Sequence, residues 1–392
     1  TFSGCLTPKG SLKTIYTVLP PKDNPMPTQH YIGIMSGTSM DGADAVLIAM
    51  QGKQWQRALA HSFVPYPASL KTELLALQNI GENELHRSQI LAQQLSHIYA
   101  QTVHQLLAHS QMQPENITAI GCHGQTIRHA PEHQYSIQLV NLPLLAERTG
   151  IFTIGDFRSR DLAAGGQGAP LVPAFHQALF TSPTETRVVL NIGGIANISL
   201  LAPNQPPIGF DTGAGNMLLD AWTQHVWQQP YDANGAKAAQ GKVLPRLLGS
   251  LKAHPYFRLP PPKSTGRELF SLAWLQSYLS GNESPFDVQR TLVQFTAETI
   301  ADAIFQAASN TRHIYICGGG IQNTTLMHTL AELFAPHNIA LHSTESLNLN
   351  PQWVEAAAFA WLAACWVNQT PSNPHHATGA HKPLILGAGY FA

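Results

Sequence analysis

Twice along this 392-residue chain, two short β-rich runs close around a glycine-bearing polar turn, and a further strand and a helix follow. The first hairpin covers residues 31–50. Its turn, SGTSMDGAD, lies between apolar runs ending at Met35 and starting at Ala45. The second covers residues 187–201 and turns at Gly193-Gly194. A strand over 207–210 then enters Asp211-Thr212-Gly213-Ala214-Gly215-Asn216, and a helix is expected over 217–227. A plan repeated at this spacing implies two related domains facing a cleft, each a mixed sheet with flanking helices.

The remaining segments fit this α/β reading. Residues 55–64 read as a third strand. Within 85–110, Leu91, Leu95, Ile98, Val103, Leu106 and Leu107 recur at helical spacing. Strands over 117–122, 136–140 and 151–154, with a helix over 142–149, complete the first mixed sheet. The glycine-rich loop AAGGQGAP opens a helix over 171–180. Downstream, helices are expected over 236–252, 269–279, 287–309, 323–334 and 351–367. Strands are expected over 313–317, 340–344 and 384–390, with 371–383 a loop.

Three turns carry the residue types that hold a nucleotide. In SGTSMDGAD, Gly37 and Gly42 free backbone N–H groups, Ser36, Thr38 and Ser39 add hydroxyls, and Asp41 and Asp44 add carboxylates. An ordinary polar hairpin tip would look the same. In GFDTGAGN, a strand runs into a carboxylate, and glycines bring the backbone to a helix start, where anions are favoured. In CGGGIQN, Gly318, Gly319 and Gly320 leave bare backbone on which a flat ligand can lie.

Composition excludes several partners. Net charge is −1, charged residues make up only 11% against about 25% in typical domains, and no Lys/Arg run exceeds two. Neither a nucleic acid nor a membrane partner is expected. Cys5, Cys122, Cys317 and Cys365 are far apart and lack zinc or disulfide spacing, which points to reduced thiols in the cytoplasm. His328, His375 and His376 read as surface residues, not zinc ligands. Residues 1–29 lack a continuous apolar core, so they read as a poorly ordered N-terminal extension, not a signal peptide. Thr1 in place of an initiator Met reads as a trimmed start.

Three such loops in this order resemble the phosphate and adenosine motifs of the acetate and sugar kinase, Hsp70 and actin superfamily. More specifically, SGTSMDGAD, GCHGQT, GDFRSRDLAAGGQGAPLVPAFH, LNIGGIANIS, FDTGAGNMLLDAW, PKSTGRE, CGGGIQN and EAAAFAWLA together resemble the anhydro-N-acetylmuramic acid kinase family, from about residue 31 onward. Ser159 departs from the Arg common at that position in relatives. The resemblance implies two ribonuclease H-like (actin-like ATPase) lobes around an ATP and sugar cleft. The first would cover 30–155, joined by the last few residues, and the second 156–388.

The resemblance also implies an activity and a set of roles. Family members transfer the ATP γ-phosphoryl group to O6 of 1,6-anhydro-N-acetylmuramic acid while water opens the anhydro bridge, a step of peptidoglycan recycling. Asp211 matches the family's base; a cap or a magnesium ligand is its other reading. Gly37, Thr38, Ser39, Met40, Asp41, Gly42, Ala43 and Asp44, with Gly213, Gly215 and Asn216, would hold the phosphates. Gly318, Gly319, Gly320 and Asn323 would flank the nucleoside. Asp41 would serve Mg²⁺, directly or through water. Arg160 first, and Arg158 second, would fork onto the lactyl carboxylate, unless one of them pairs with Asp156 or Asp161. His123, Gln125 and Thr126 resemble a segment lining the sugar pocket. Glu355 would reach the sugar or the attacking water, or cap its helix. Lys263, Ser264, Thr265 and Arg267 resemble a loop near sugar or phosphate. The small amino sugar is the expected partner, and family members are often homodimers. A hydroxyl-directed sugar kinase, an ATP-driven binding module and an inactive relative are the competing readings.

Overall fold

A computed structural model describes residues 27–392 except 38, 39, 262, 267 and 268. Thr38, Ser39 and Arg267, and nearly all of the N-terminal extension, lie outside the described residues. The first half runs β1 (Thr28–Met35), β2 (Gly42–Gln51), β3 (Gln54–Pro65), α1 (Ala68–Ala76), α2 (Glu84–Ser110), β4 (Ala119–Cys122), β5 (Gln125–Ala130), β6 (Tyr135–Leu139), α3 (Leu142–Thr149) and β7 (Thr153–Gly155). Then come α4 (Ser159–Ala163), α5 (Val172–Phe180), β8 (Arg187–Ile192), β9 (Ile195–Leu201), β10 (Ile208–Ala214), α6 (Asn216–Trp227), α7 (Pro245–Lys252), α8 (Leu272–Gln276) and α9 (Pro285–Ala307). The last elements are β11 (His313–Cys317), α10 (Thr324–Phe334), β12 (Ala340–Ser343), α11 (Val354–Val367), α12 (His375–Thr378) and β13 (Ala388–Tyr390).

The repeated hairpins build two sheets of one design. The first has the order β13-β7-β4-β1-β2-β3 and the second β10-β9-β8-β11-β12. In each, three strands form an antiparallel meander, and two later strands add in parallel beside its first strand. This 3-2-1-4-5 order, present twice, is the duplicated ribonuclease H-like sheet of actin-like ATPases. β13 returns to pair antiparallel with β7, Ala388 opposite Gly155, so the chain's last strand belongs to the first sheet.

Alternating side chains sort the core into layers. Ile32, Ile34, Ala45 and Leu47 face α2 and α3, whereas Tyr31, Val46 and Ile48 face the opposite side with α11. In the second sheet, Leu190, Ile192 and Ile198 pack under α6, α9 and α10, while Val189 and Leu201 join the cluster that contains α5 and α11. Helix α11 is therefore shared by both sheets, and it is apolar nearly all round, as such a position demands. It sits directly on β1 and β4. A Cβ added at Gly33 would lie 1.8 Å from the Ala356 carbonyl oxygen, and one at Gly121 would lie 2.1 Å from that of Phe359.

Several expected elements differ. The strand expected over 207–210 continues to Ala214, with a bulge between Asp211 and Gly213, so Asp211 lies inside β10. Of the expected 236–252 helix, only Pro245–Lys252 is α-helical, with a single 3-10 turn at Ala238–Gln240. Upstream, Asp232 captures the N–H groups of Lys237 and Ala238, and Gly241 presses against the Phe286 carbonyl. The 269–279 helix shrinks to α8, capped by Ser271. The 136–140 strand does not join the main sheet; it pairs with an unforeseen partner, β5, in a separate hairpin. The 384–390 strand shrinks to β13, and α12 interrupts the 371–383 loop.

Candidate active site

The three glycine turns meet at one cleft. A cavity of 530 Å³ is lined by Asp41 from the first turn, Asn216 from the second and Gly319 and Asn323 from the third, together with Asp220, Tyr231 and Asp232. Each turn is shaped by its sequence. Gly42 leaves no space for a Cβ, which would lie 2.4 Å from the Val64 carbonyl oxygen. The Gly215 and Asn216 N–H groups donate to the carbonyls of Gly194 and Gly193, locking the second turn to the β8–β9 turn. Gly318 adopts φ 83°, which favours glycine, and packs on the Asn191 amide oxygen.

The individual side chains have separate duties. Asn323 caps α10 by accepting the Leu326 N–H, and the Asn216 amide donates to the Ile192 carbonyl at 3.2 Å. The Asp41 carboxylate is exposed and accepts from Lys71 Nζ at 2.6 Å. Asp44 instead contacts His61 Nε2 at 2.8 Å, which pins the hairpin. Met40, at φ 54°, is buried beneath the turn. Ala43 is buried in the core of β2, and Gly213 sits at the β10 bulge.

A second polar cluster lies between the sheets. His123 is buried at the end of β4, tilted against Phe359, and its Nε2 accepts from Arg158 Nη2 at 2.8 Å. Burial and the neighbouring guanidinium hold the His123 pKa well below its ordinary value, so the imidazole is neutral. Burial lowers Arg158 to about 10, which still leaves it charged at neutral pH. Arg158 also donates to the Gly168 carbonyl at 2.7 Å. That loop is anchored by buried Asp161, whose carboxylate accepts from the Gly168 N–H, Asn373 and Thr378. Neither arginine pairs with Asp156 or Asp161. Asp156 instead accepts from Ser159, and Arg160, exposed on α4, donates to the Ile385 carbonyl at 2.8 Å. Of the two arginines, the structure brings Arg158 and not Arg160 to His123.

Glu355 opens α11 and accepts from Asn191 Nδ2 at 3.1 Å. Burial raises its pKa, Asp44 adds to the rise, and Asn191 and Arg158 oppose it. Asp211, Asn197 and Asn191 stand opposite one another across β10, β9 and β8. Directly opposed residues share a face, so all three point toward the first sheet, with Asp211 about 10 Å from Asn191 across two strand spacings. Asn191 and Asn197 were missed as individual site residues. Their signal was a polar residue recurring inside otherwise apolar strands, LNI and ANI.

Tyr256, Lys263 and Thr265 hold Asp211 in place. The Thr265 N–H donates to Asp211 Oδ2 at 2.9 Å, the Asp211 N–H donates to the Lys263 carbonyl, and the Tyr256 hydroxyl donates to the Asp211 carbonyl at 2.7 Å. Lys263 lies over the Tyr256 ring, with its pKa lowered by burial. Ser264 is exposed. Gln125 is fully buried and turned inward: Ser36 donates to its oxygen, and its amide donates to the Gly37 carbonyl at 3.2 Å. Thr126 accepts from Gln138 at 3.3 Å within the β5–β6 hairpin.

A doubled ribonuclease H-like sheet with glycine turns from both halves at one cleft defines an actin-like two-lobed protein. Residues 29–392 match the family model described as anhydro-N-acetylmuramic acid kinase. The chain belongs to the anhydro-N-acetylmuramic acid kinase family. It is 68% identical over 366 residues to the anhydro-N-acetylmuramic acid kinase of Neisseria meningitidis serogroup C / serotype 2a, covering 93% of this chain and 100% of that protein. Its identity to the Bordetella petrii enzyme of the same name is 51% over 369 residues, covering 93% of this chain and 97% of that one. Identity to the Nitrosomonas europaea enzyme is also 51%, over 364 residues, covering 92% and 99%.

Proposed function

We propose that this protein is an ATP-dependent kinase of 1,6-anhydro-N-acetylmuramic acid that yields N-acetylmuramic acid 6-phosphate for peptidoglycan recycling. The observation that carries this reading is the convergence of three glycine turns, from both sheets, on one cleft in a chain of this family. The nucleotide phosphates lie against residues 37–44 and Gly213, Gly215 and Asn216, and the nucleoside against Gly318, Gly319, Gly320 and Asn323. The residues present suit Mg²⁺ carried by phosphate oxygens and water. Asp41 presents an exposed carboxylate to the cleft, and no cluster of three metal-ligating side chains exists among the described residues. Bound there, Mg²⁺ would offset the charge on the transferring phosphoryl group.

Asp211 is the base. It takes a proton from water as the water oxygen bonds to the anomeric carbon. The bond from that carbon to O6 breaks, O6 bonds to the γ-phosphorus, and ADP departs. The N–H of Thr265 and the hydroxyl of Tyr256 fix the carboxylate and its strand for that attack. Arg158, steadied by neutral His123 and the Gly168 carbonyl, forks onto the lactyl carboxylate. Arg160 is the weaker candidate because it is exposed on α4 and donates to the Ile385 carbonyl, not to the buried His123 cluster. Glu355 faces the sugar from the shared helix. The lobes comprise 30–155 with the returning last strand, and 156–388, with α11 common to both. No helix of the described residues is long and apolar enough to cross a membrane, and we place the enzyme in the cytoplasm.

The test is a reaction with ATP, Mg²⁺ and the anhydro sugar in ¹⁸O water. It is read by mass spectrometry within minutes, before the reducing sugar exchanges its anomeric oxygen. One ¹⁸O on the anomeric carbon is expected. Product without label overturns the water attack, and phosphorylation of free-hydroxyl sugars alone overturns the substrate.

A further inference from the structure

Five polar groups beneath the first glycine turn form a chain whose direction the chemistry dictates. It begins at Gln125, whose side-chain oxygen can only accept. Ser36 lies against that oxygen and must donate to it. Ser36 then has only acceptor capacity for Tyr66, whose Oη lies 2.8 Å from the Ser36 Oγ. Tyr66 has one proton, and this bond uses it. Its second neighbour, the Tyr99 Oη, lies 3.2 Å away. At the other end the Gln125 amide donates to the Gly37 carbonyl at 3.2 Å.

All four side chains in the chain are buried. Burial pushes the Tyr66 hydroxyl up to about 12 and Tyr99 well above its ordinary value, so both keep their protons at any physiological pH. The backbone supports the same arrangement. The Tyr66 N–H donates to the Asp41 carbonyl at 2.9 Å, so Tyr66 grips both sides of the turn, one by its backbone and one by its ring hydroxyl. The chain spans α2, the end of β3, the turn and the start of β5.

We infer that Tyr66 is a positioning residue for the nucleotide phosphates, acting through Ser36 and Gln125 on the Gly37 carbonyl, and that Gln125 serves this brace rather than the sugar. The brace turns the Gly37 carbonyl inward, so that its oxygen does not oppose the phosphates. Removing the Tyr66 hydroxyl leaves Ser36 short of its donor and frees the turn to rotate. The inference rests on the reading of residues 37–44 as the phosphate turn.

The experiment compares Tyr66→Phe with Tyr99→Phe in steady-state kinetics with ATP and the anhydro sugar. Each variant deletes one buried tyrosine hydroxyl and lowers the melting temperature comparably. Only Tyr66→Phe severs the turn. It is expected to raise the KM for ATP about tenfold, with kcat within threefold and the sugar KM within twofold. Tyr99→Phe removes only the outermost hydroxyl, and its ATP KM should rise by less than threefold. If both variants move the ATP KM equally, or neither does, the hydroxyl is purely structural and the inference fails. If Tyr66→Phe does not accumulate as folded protein, Ser36→Ala cuts the same chain and must show the same selective rise. Gly42→Ala, which deforms the turn directly, separates the two levels. If it leaves the ATP KM at the parent value, the phosphate-turn reading fails and takes the brace with it. If it raises the KM while Tyr66→Phe does not, only the brace is wrong.

Discussion

Replacing Gly33 by Ala tests whether α11 is seated on bare backbone. The new Cβ would lie 1.8 Å from the Ala356 carbonyl oxygen and 2.4 Å from the Ala360 nitrogen. Ordinary contact begins near 3.4 Å, so strand and helix must part by about 1.6 Å. Neither obstructing atom belongs to a side chain that could swing aside. The helix has nowhere to go, because eleven of its fourteen residues are buried, with Val189, Phe175 and Leu201 in the same cluster. Overpacking at ordinary core sites costs about 1–3 kcal/mol, and a backbone-to-backbone clash belongs at or above the top of that range. At roughly 2.1 cal/mol/K per residue, 3 kcal/mol lowers the melting temperature of the described chain by about 4 °C if it unfolds as one unit, and by more if one lobe unfolds alone. Gly249→Ala in α7 is the matched control. Nothing lies within 4 Å of its Cβ, so it should be neutral or stabilised by up to about 1 kcal/mol. Calorimetry on both variants decides the matter. A Gly33→Ala melting temperature within 1 °C of the parent would refute the seating of α11 on β1.

Asp211→Asn preserves shape and should keep ATP binding while losing at least 10³-fold in kcat, on the scale of general-base catalysis and the bond changes it drives; turnover within a few-fold of the parent would remove Asp211 as base. Arg158→Lys should raise the sugar KM about tenfold or more with little effect on ATP, since a point charge cannot form the fork; Arg160→Lys should change it less than threefold. For Glu355, burial first, and then Asp44, raise the folded pKa, so the unfolded chain ionises earlier as pH rises. Stability is therefore lost from about pH 4.3 upward, until the folded group ionises too. Glu355→Gln should accordingly be more stable than the parent at pH 7 but not at pH 4, as urea midpoints will report, while its activity falls. Asp161→Asn turns one of the two carboxylate oxygens into a donor, set against either the Gly168 N–H or the Asn373 amide. It should cost about 1–3 kcal/mol and raise the sugar KM through the loosened Gly168 carbonyl.

The doubled sheet was legible because each meander strand carries its own alternation and each turn its own glycines; β8, β9 and β11 fall where the sequence puts them. What misled local reading was competition from distant groups. Residues 236–244 have helical composition, yet Asp287 and Thr291 take the Lys242 and Leu244 N–H groups that a helix would use. The β5 strand was masked by its short, mixed pattern of QTIRHA, whose partner lies across a turn. In the site, residue types announced the glycine turns, but orientation was not legible. Arg158 and Arg160 are two positions apart on one turn, and only the fold decides that the first meets His123 while the second meets Ile385. Gln125 looked like a pocket residue because nothing local reveals that Ser36 and Gly37 consume both ends of its amide.

The return of the chain to its first sheet has a consequence for synthesis. Strands β1 to β4 emerge early, but α11, which covers one of their faces, spans Val354–Val367, and β13 completes the edge only at residues 388–390. At about 5–20 residues per second, a ribosome needs roughly 10–40 s to translate from β7 to the end of α11. Throughout that interval Tyr31, Val46, Ile48 and the bare backbone of Gly33 and Gly121 have no covering helix. The nascent first sheet thus carries an uncovered apolar face for that interval, and a ribosome stalled before residue 354 leaves a chain that cannot bury it with α11.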